Sequence, residues 1–190
     1  DPARLPAVFT SSGGDGQNCH EICQVLASAE RQLSPTRFHN SVHNAAAGYW
    51  SIATGATPAS NALCAYDASF VAGLLEALTQ VAIERRAVLL IAYDASYPEP
   101  LRAVRPIPDA FAVALVLAPV VGSAALGKIE AHLSGAPADT IAEPLEGLRR
   151  AIPAARSLPL LALLARGGAG NAVLEYLDQA GLVVTVSPCR

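Results

Sequence analysis

The chain has 190 residues, a length that suits one compact domain. Hydrophobic residues make up 52 % and charged residues only 15 %, against about 25 % charged in ordinary soluble proteins, which fits a largely buried α/β sheet or a surface covered by a partner. With a net charge of −3, one lysine (Lys128) and no basic run, the chain lacks the clustered cations that a phosphate backbone needs, and no stretch reaches the ~18 apolar residues of a membrane span.

The chain opens abruptly on Asp-Pro, read as a natural N-terminus that is missing or disordered; no signal-peptide pattern is seen. Ala7 to Thr10 reads as the end of a short strand. Ser11 to Gly16 is a loop whose three glycines permit unusual backbone angles. It could cradle a phosphate, but it lacks the Walker lysine and a full Gly-x-Gly-x-x-Gly, so a plain loop is preferred. Gln17 to Gln32 has Ile22, Val25, Leu26 and Ala29 at helical spacing. Within it, Cys19-His20-x-x-Cys23 matches no common zinc spacing and is read as packed side chains. The other cysteines are Cys64 and Cys189, and a core of this size needs no disulfide staples, so a reducing cytoplasm is expected.

Phe38 to Ile52 is expected to be one helix with Val42, Ala45, Ala46 and Tyr49 on one stripe. Ser60 to Ala65 reads as a buried strand, followed by a helix to about Glu84 with Asp67 as its N-cap. The run Val88-Leu89-Leu90-Ile91-Ala92 suits a strand buried on both faces. Tyr97 to Pro108 is proline-rich and irregular, and Phe111 to Leu117 is another buried strand. The apolar stretch from Phe111 to Ala125 is broken by Pro119 and Gly122. Asp139 to Ile152 and Leu158 to Ala165 read as helices, with Arg149 and Arg150 at a solvated helix end. Gly167 to Gly170 reads as a hinge or tight turn. Ala172 to Tyr176 and Leu182 to Val186 suggest a hairpin. Alternation of strands and helices argues a layered α/β fold.

The informative stretch is residues 33–77, LSPTRFHNSVHNAAAGYWSIATGATPASNALCAYDASFVAGLLEA. It resembles the middle of a β-ketoacyl synthase: a Ser-Pro start, then Asn44, Gly48, Ser51 and Ile52 in an Asn-x-x-x-Gly and Ser-Ile pattern, then a strand, a sharp turn and a helix. In that family the turn carries the nucleophilic cysteine, and the amides and dipole of the helix behind it stabilise a thiolate or an oxyanion. Aligning Ser69-Phe70-Val71-Ala72 with that helix places Tyr66 at the nucleophile position and Cys64 two residues earlier, inside the strand. Phenols, with pKa near ~10, are poor nucleophiles for thioester exchange. After Leu117 the chain holds one histidine, His132, outside the contexts of the family's two catalytic histidines. Both the cysteine and its histidine partners therefore read as lost.

The resemblance spans about residues 5–120 and is closest to the short ketosynthase-like proteins of aryl polyene and xanthomonadin-type pigment clusters. Tyr97-Pro98-Glu99-Pro100-Leu101 and Arg105-Pro106-Ile107 share that look. It implies a three-layer α/β fold with one thiolase-type half over residues 1–120, and a short C-terminal α+β extension, residues 121–190, packed on the same domain. It implies a non-catalytic chain-length factor that pairs with a catalytic ketosynthase, or with itself in isolation, meets the acyl carrier protein only indirectly and needs no cofactor. The family places the helix after the Ser-Pro start at the subunit interface, so Phe38, His39, Val42, His43 and Asn44 are the residues expected to face the partner's acyl pocket, with Tyr66, Asp67 and Ser69 at the turn. His39 and His43, four apart, lack a third ligand, which favours interface roles over metal binding. Asp67 as a general acid or base is less simple than as a cap, and Ser69 lacks a Gly-x-Ser-x-Gly elbow. Two alternatives stay open: an acyltransferase that uses Cys64, and a stand-alone acyl-binding module.

Overall fold

The computed structural model describes residues 1–189. In chain order its main elements are β1 (Ala7–Thr10), α1 (Gly16–Ala27), α2 (Pro35–His39), α3 (Ala45–Thr54), β2 (Ser60–Leu63), α4 (Ser69–Glu84), β3 (Val88–Asp94), α5 (Leu101–Val104), β4 (Phe111–Leu117), β5 (Lys128–Ser134), α6 (Leu145–Ala151), α7 (Leu158–Arg166), β6 (Gly170–Leu177) and β7 (Ala180–Ser187).

The first sheet has the order β2-β1-β3-β4. β1 is parallel to both neighbours, and β4 runs antiparallel on the outer side of β3. A parallel pair needs a crossover, and α4 supplies the one between β2 and β3. Phe70, Leu74, Ala77 and Val81 recur at helical spacing and are buried against Val8, Val88 and Leu90 of the sheet. Burying a large apolar side chain of this kind stabilises by ~1.5–3 kcal/mol. The helix lies close to the sheet: a Cβ on Gly73 would stand 2.7 Å from Thr10 Cγ2 and 3.0 Å from Leu90 Cδ1. α3 covers the opposite face, where Ala47 and Trp50 pack on Ala7, Phe9 and Leu89, with the Trp50 and Phe9 rings edge to face at 6.3 Å. Helices on both faces of the sheet make the three-layer α/β arrangement expected from the sequence.

β5, β7 and β6 form a second, antiparallel sheet in that order. Its residues alternate, so Ala172, Leu174, Leu182, Val184 and Val186 enter the same core as α4 while Lys128, Glu130 and His132 face out. α7 adds Leu160, Leu163 and Leu164 to that core. Among the described residues no helix is long and apolar enough to cross a membrane.

Several local expectations are corrected. The helix expected over 17–32 stops at Ala27, where Ser28 turns extended and its hydroxyl donates to the Val25 carbonyl. Its apolar stripe is thinly covered, with Leu26 48 % exposed, and Cys19 and Cys23 are exposed rather than packed. The single helix expected over 38–52 is two, α2 and α3. Asn40, Ser41 and Asn44 interrupt it: the Ser41 hydroxyl donates to the Phe38 carbonyl and Asn40 Oδ1 accepts from Tyr49, local bonds that compete with the helix ladder. The strand expected to be buried over 60–65 is a four-residue edge strand with Ser60 and Asn61 exposed. β4 is also an edge strand, so Phe111, Val113, Leu115 and Leu117 face the core while Ala112, Ala114 and Val116 face out. The helix expected over 139–152 is only α6. Pro144 disfavours helical backbone before it, and Asp139 is instead tied to β6, donating its N–H to Val173 O and accepting the Val173 N–H, both at 2.8 Å. Arg149 is not a solvated helix end but buried against Glu146. β5 was not anticipated.

Candidate functional site

The strand-to-helix turn between β2 and α4 is built around Tyr66, whose φ is +52°. A non-glycine residue in that region costs roughly 1–2 kcal/mol, so the surrounding bonds must hold it. Ser69, buried at the first turn of α4, does so. Its hydroxyl accepts the Ala65 N–H at 3.0 Å, and its proton lies within reach of the Tyr66 and Ser11 carbonyls at 2.7 and 3.1 Å. Thr10 Oγ1 in turn donates to the Ser69 carbonyl at 2.8 Å, which ties the turn to β1. Ser69 is thus a brace for the elbow, and no base contacts its hydroxyl. The Tyr66 side chain projects outward, 60 % exposed, with the Arg105 guanidinium 3.7 Å over its ring.

Asp67 does not cap α4; Ala68 stands at the cap position, without a side-chain bond. Its carboxylate instead accepts from Arg105 Nη2 at 2.5 Å and from Arg156 Nη2 at 2.9 Å. Arg156 reaches on to Glu175 of β6 at 2.9 Å, Glu175 meets Arg149 at 3.4 Å, and Arg149 forks both carboxylate oxygens of Glu146 at 2.8 Å. A chain of charges therefore links the elbow to the second sheet. Burial pulls the Arg105 guanidinium down, but its bond to Asp67 outweighs this and leaves it raised. The Arg149 bond, aided by the Ile141 N–H, lowers the Glu146 carboxyl to about 2. In the sequence Arg105 stands out only within Arg105-Pro106-Ile107 and Arg149 only as a helix end, neither as a carboxylate's partner, and Arg156, Glu146 and Glu175 were not singled out. The available signal was a lone arginine in an apolar, proline-rich stretch, as at Arg105 and Arg156.

Cys64 is exposed and its thiol donates to the Ser12 carbonyl at 3.1 Å; it is in the approach to the turn, not over the helix end. His43 lies in the break between α2 and α3, its Nε2 2.8 Å from the Leu63 carbonyl. His39 is on α2 and the two no longer share a helical face. Phe38 and Val42 are exposed at 69 % and 51 %, and Asn44 is exposed at the start of α3 with no side-chain cap bond. The Ser11–Gly16 loop is not an open cradle. A Cβ at Gly16 would lie 2.3 Å from the Tyr97 ring, and one at Gly13 would lie 2.1 Å from its hydroxyl oxygen, so Tyr97 fills the space against it.

The sheet order β2-β1-β3-β4, with β4 antiparallel, helices on both faces and a positive-φ elbow leading into α4, fits a ketosynthase-type protein of the thiolase-like fold. Residues 1–159 match the family described as beta-ketoacyl synthase, N-terminal domain, and the chain belongs to that family. Among solved structures it is similar to a chain of the complex of the ketosynthase ApeO with its chain length factor ApeC from Xenorhabdus doucetiae. The TM-score is 0.72 and the identity 27 %, over 95 % of this chain and 69 % of that one. No curated protein matches the chain.

Proposed function

We propose that this protein is a non-catalytic subunit of chain-length-factor type, which pairs in the cytoplasm with a catalytic β-ketoacyl synthase and helps bound the pocket where a polyene or polyketide chain grows. The observation that carries this reading is Tyr66 at the elbow. Tyr66 has φ +52° at the strand-to-helix turn, where the family resemblance would put a nucleophile, and its side chain is a phenol with the Arg105 guanidinium over its ring.

The surface beside the elbow suits a partner. β2 is an open sheet edge, and α3 packs next to it. Phe38, Val42, Tyr49 and Ile52 are exposed at 69, 51, 52 and 79 % on the neighbouring helices and their connection. An open strand edge flanked by apolar side chains is a template for association. His39 and Asn44 are assigned to the same face, which would pair two copies of the chain when the synthase is absent. Residues 121–190 act as a brace that keeps the elbow rigid through Glu175 and Arg156.

The test is a tagged pull-down from the native host with identification of bound proteins by mass spectrometry. Recovery of a full-length ketosynthase at about one to one is expected. Recovery of the protein alone, or with a carrier protein only, would overturn the reading. Thiol-directed acyl labelling lost in Cys64→Ala but kept in Cys19→Ala would establish the acyltransferase in its place.

A further inference from the structure

We propose that the cleft bordered by Arg105, Arg150 and Arg156 is a binding site for a small oxyanion, the carboxylate or phosphate head of a ligand. The cleft has a volume of about 350 Å³ and three guanidiniums in its lining against one carboxylate, Asp67, with Ile107 and Pro153 among its apolar walls. This is a positive concavity in a chain whose net charge is −3. Low-dielectric walls strengthen and focus such a field. Ile107 is 2 % exposed, so part of that wall is dry core.

Donor accounting points the same way. A guanidinium carries five N–H groups. Arg105 uses only Nη2 in hydrogen bonds, and Arg150 uses only Nε, towards Glu146. The Nη groups of Arg150 and the Nε and Nη1 groups of Arg105 are without protein acceptors among the described residues. The wider network sets four guanidiniums (Arg105, Arg149, Arg150, Arg156) against three carboxylates (Asp67, Glu146, Glu175), so one positive charge is uncompensated. Arg105 and Arg156 are already fixed by Asp67, with side chains 17 % and 14 % exposed, so little side-chain freedom is lost when an anion arrives. Arg150 is different: its side chain is 71 % exposed, and it can swing its planar fork onto two oxygens of a carboxylate or phosphate.

The test is isothermal titration of the full chain with inorganic phosphate and, separately, with butyrate, at matched ionic strength. Saturable binding of at least one probe is expected. Arg150→Ala should weaken it on the order of tenfold, as loss of a charge-assisted bond does, and Arg150→Lys should keep part of it. Arg166→Ala, an exposed cation outside the cleft, should bind as the parent does. Saturation by phosphate alone identifies a phosphate ester as the natural head group, and saturation by butyrate alone identifies a carboxylic acid. Saturation by neither overturns the proposal. So does equal binding by Arg150→Ala and the parent, or a loss in Arg166→Ala equal to that in Arg150→Ala.

Discussion

Tyr66 sits three residues ahead of a 16-residue helix in a backbone conformation that favours glycine. The amides and dipole at the N-terminus of that helix favour an anion beside them. Tyr66→Cys should therefore carry a thiol with a pKa below the ordinary ~8.5. The check is the pH dependence of iodoacetamide alkylation at that residue, followed by peptide mass spectrometry; a midpoint equal to that of free cysteine would show that the elbow no longer activates a thiol. The variant should still fail to condense acyl groups, since His43 is engaged at the Leu63 carbonyl. Glu146 gives a second residue-scale prediction. Its carboxyl is lowered from 4.5 to about 2 by the Arg149 bond, so the folded state binds its proton less readily than the unfolded chain does. Its stabilising contribution is full above about pH 4.5 and fades as pH falls towards 2. Thermal melts of Glu146→Gln should show a shallower loss of stability across that window than the parent.

The close seat of α4 on the first sheet rests on Gly73. Thr10 is β-branched and buried, so it cannot move away from a new methyl group at 2.7 Å. Gly73→Ala should cost roughly 1–3 kcal/mol of stability despite alanine's higher helix propensity, read as a lower urea midpoint at unchanged slope. Elements with strong pattern or uniform burial were legible in the sequence: β1, β3, α4, α7 and the β6–β7 hairpin all lie where periodicity and turn residues put them. β5 was not legible, because Lys128, Glu130 and His132 alternate with only Ile129, Ala131 and Leu133 in a short segment after a glycine-broken stretch. The break between α2 and α3 depends on Ser41 and Asn40 choosing local acceptors, which apolar spacing does not report. The elbow itself was readable through the family resemblance. The partners of Asp67 were not, since Arg105 and Arg156 lie 38 and 89 residues away in sequence.

Both sheets share one core. Val8 and Leu90 of the first sheet and Leu174, Leu182 and Val186 of the second all belong to the cluster around α4. A chain cut after residue 120 would expose the outer side of that cluster and lose Glu175 from the charge network. It should give no cooperative thermal transition, measured by circular dichroism, and a sharp transition would show instead that the first half folds by itself. The shared core also sets a timetable for synthesis. β1 is made before the other strands of its sheet; its two strand neighbours lie some 50 and 80 residues later and its most distant core companion is Val186. At ribosomal rates of roughly 5–20 residues per second, the first strand waits on the order of ten to forty seconds for the last part of its core. During that interval the nascent polypeptide carries unpaired apolar strands, which makes the growing chain, more than the finished one, the natural client of a chaperone.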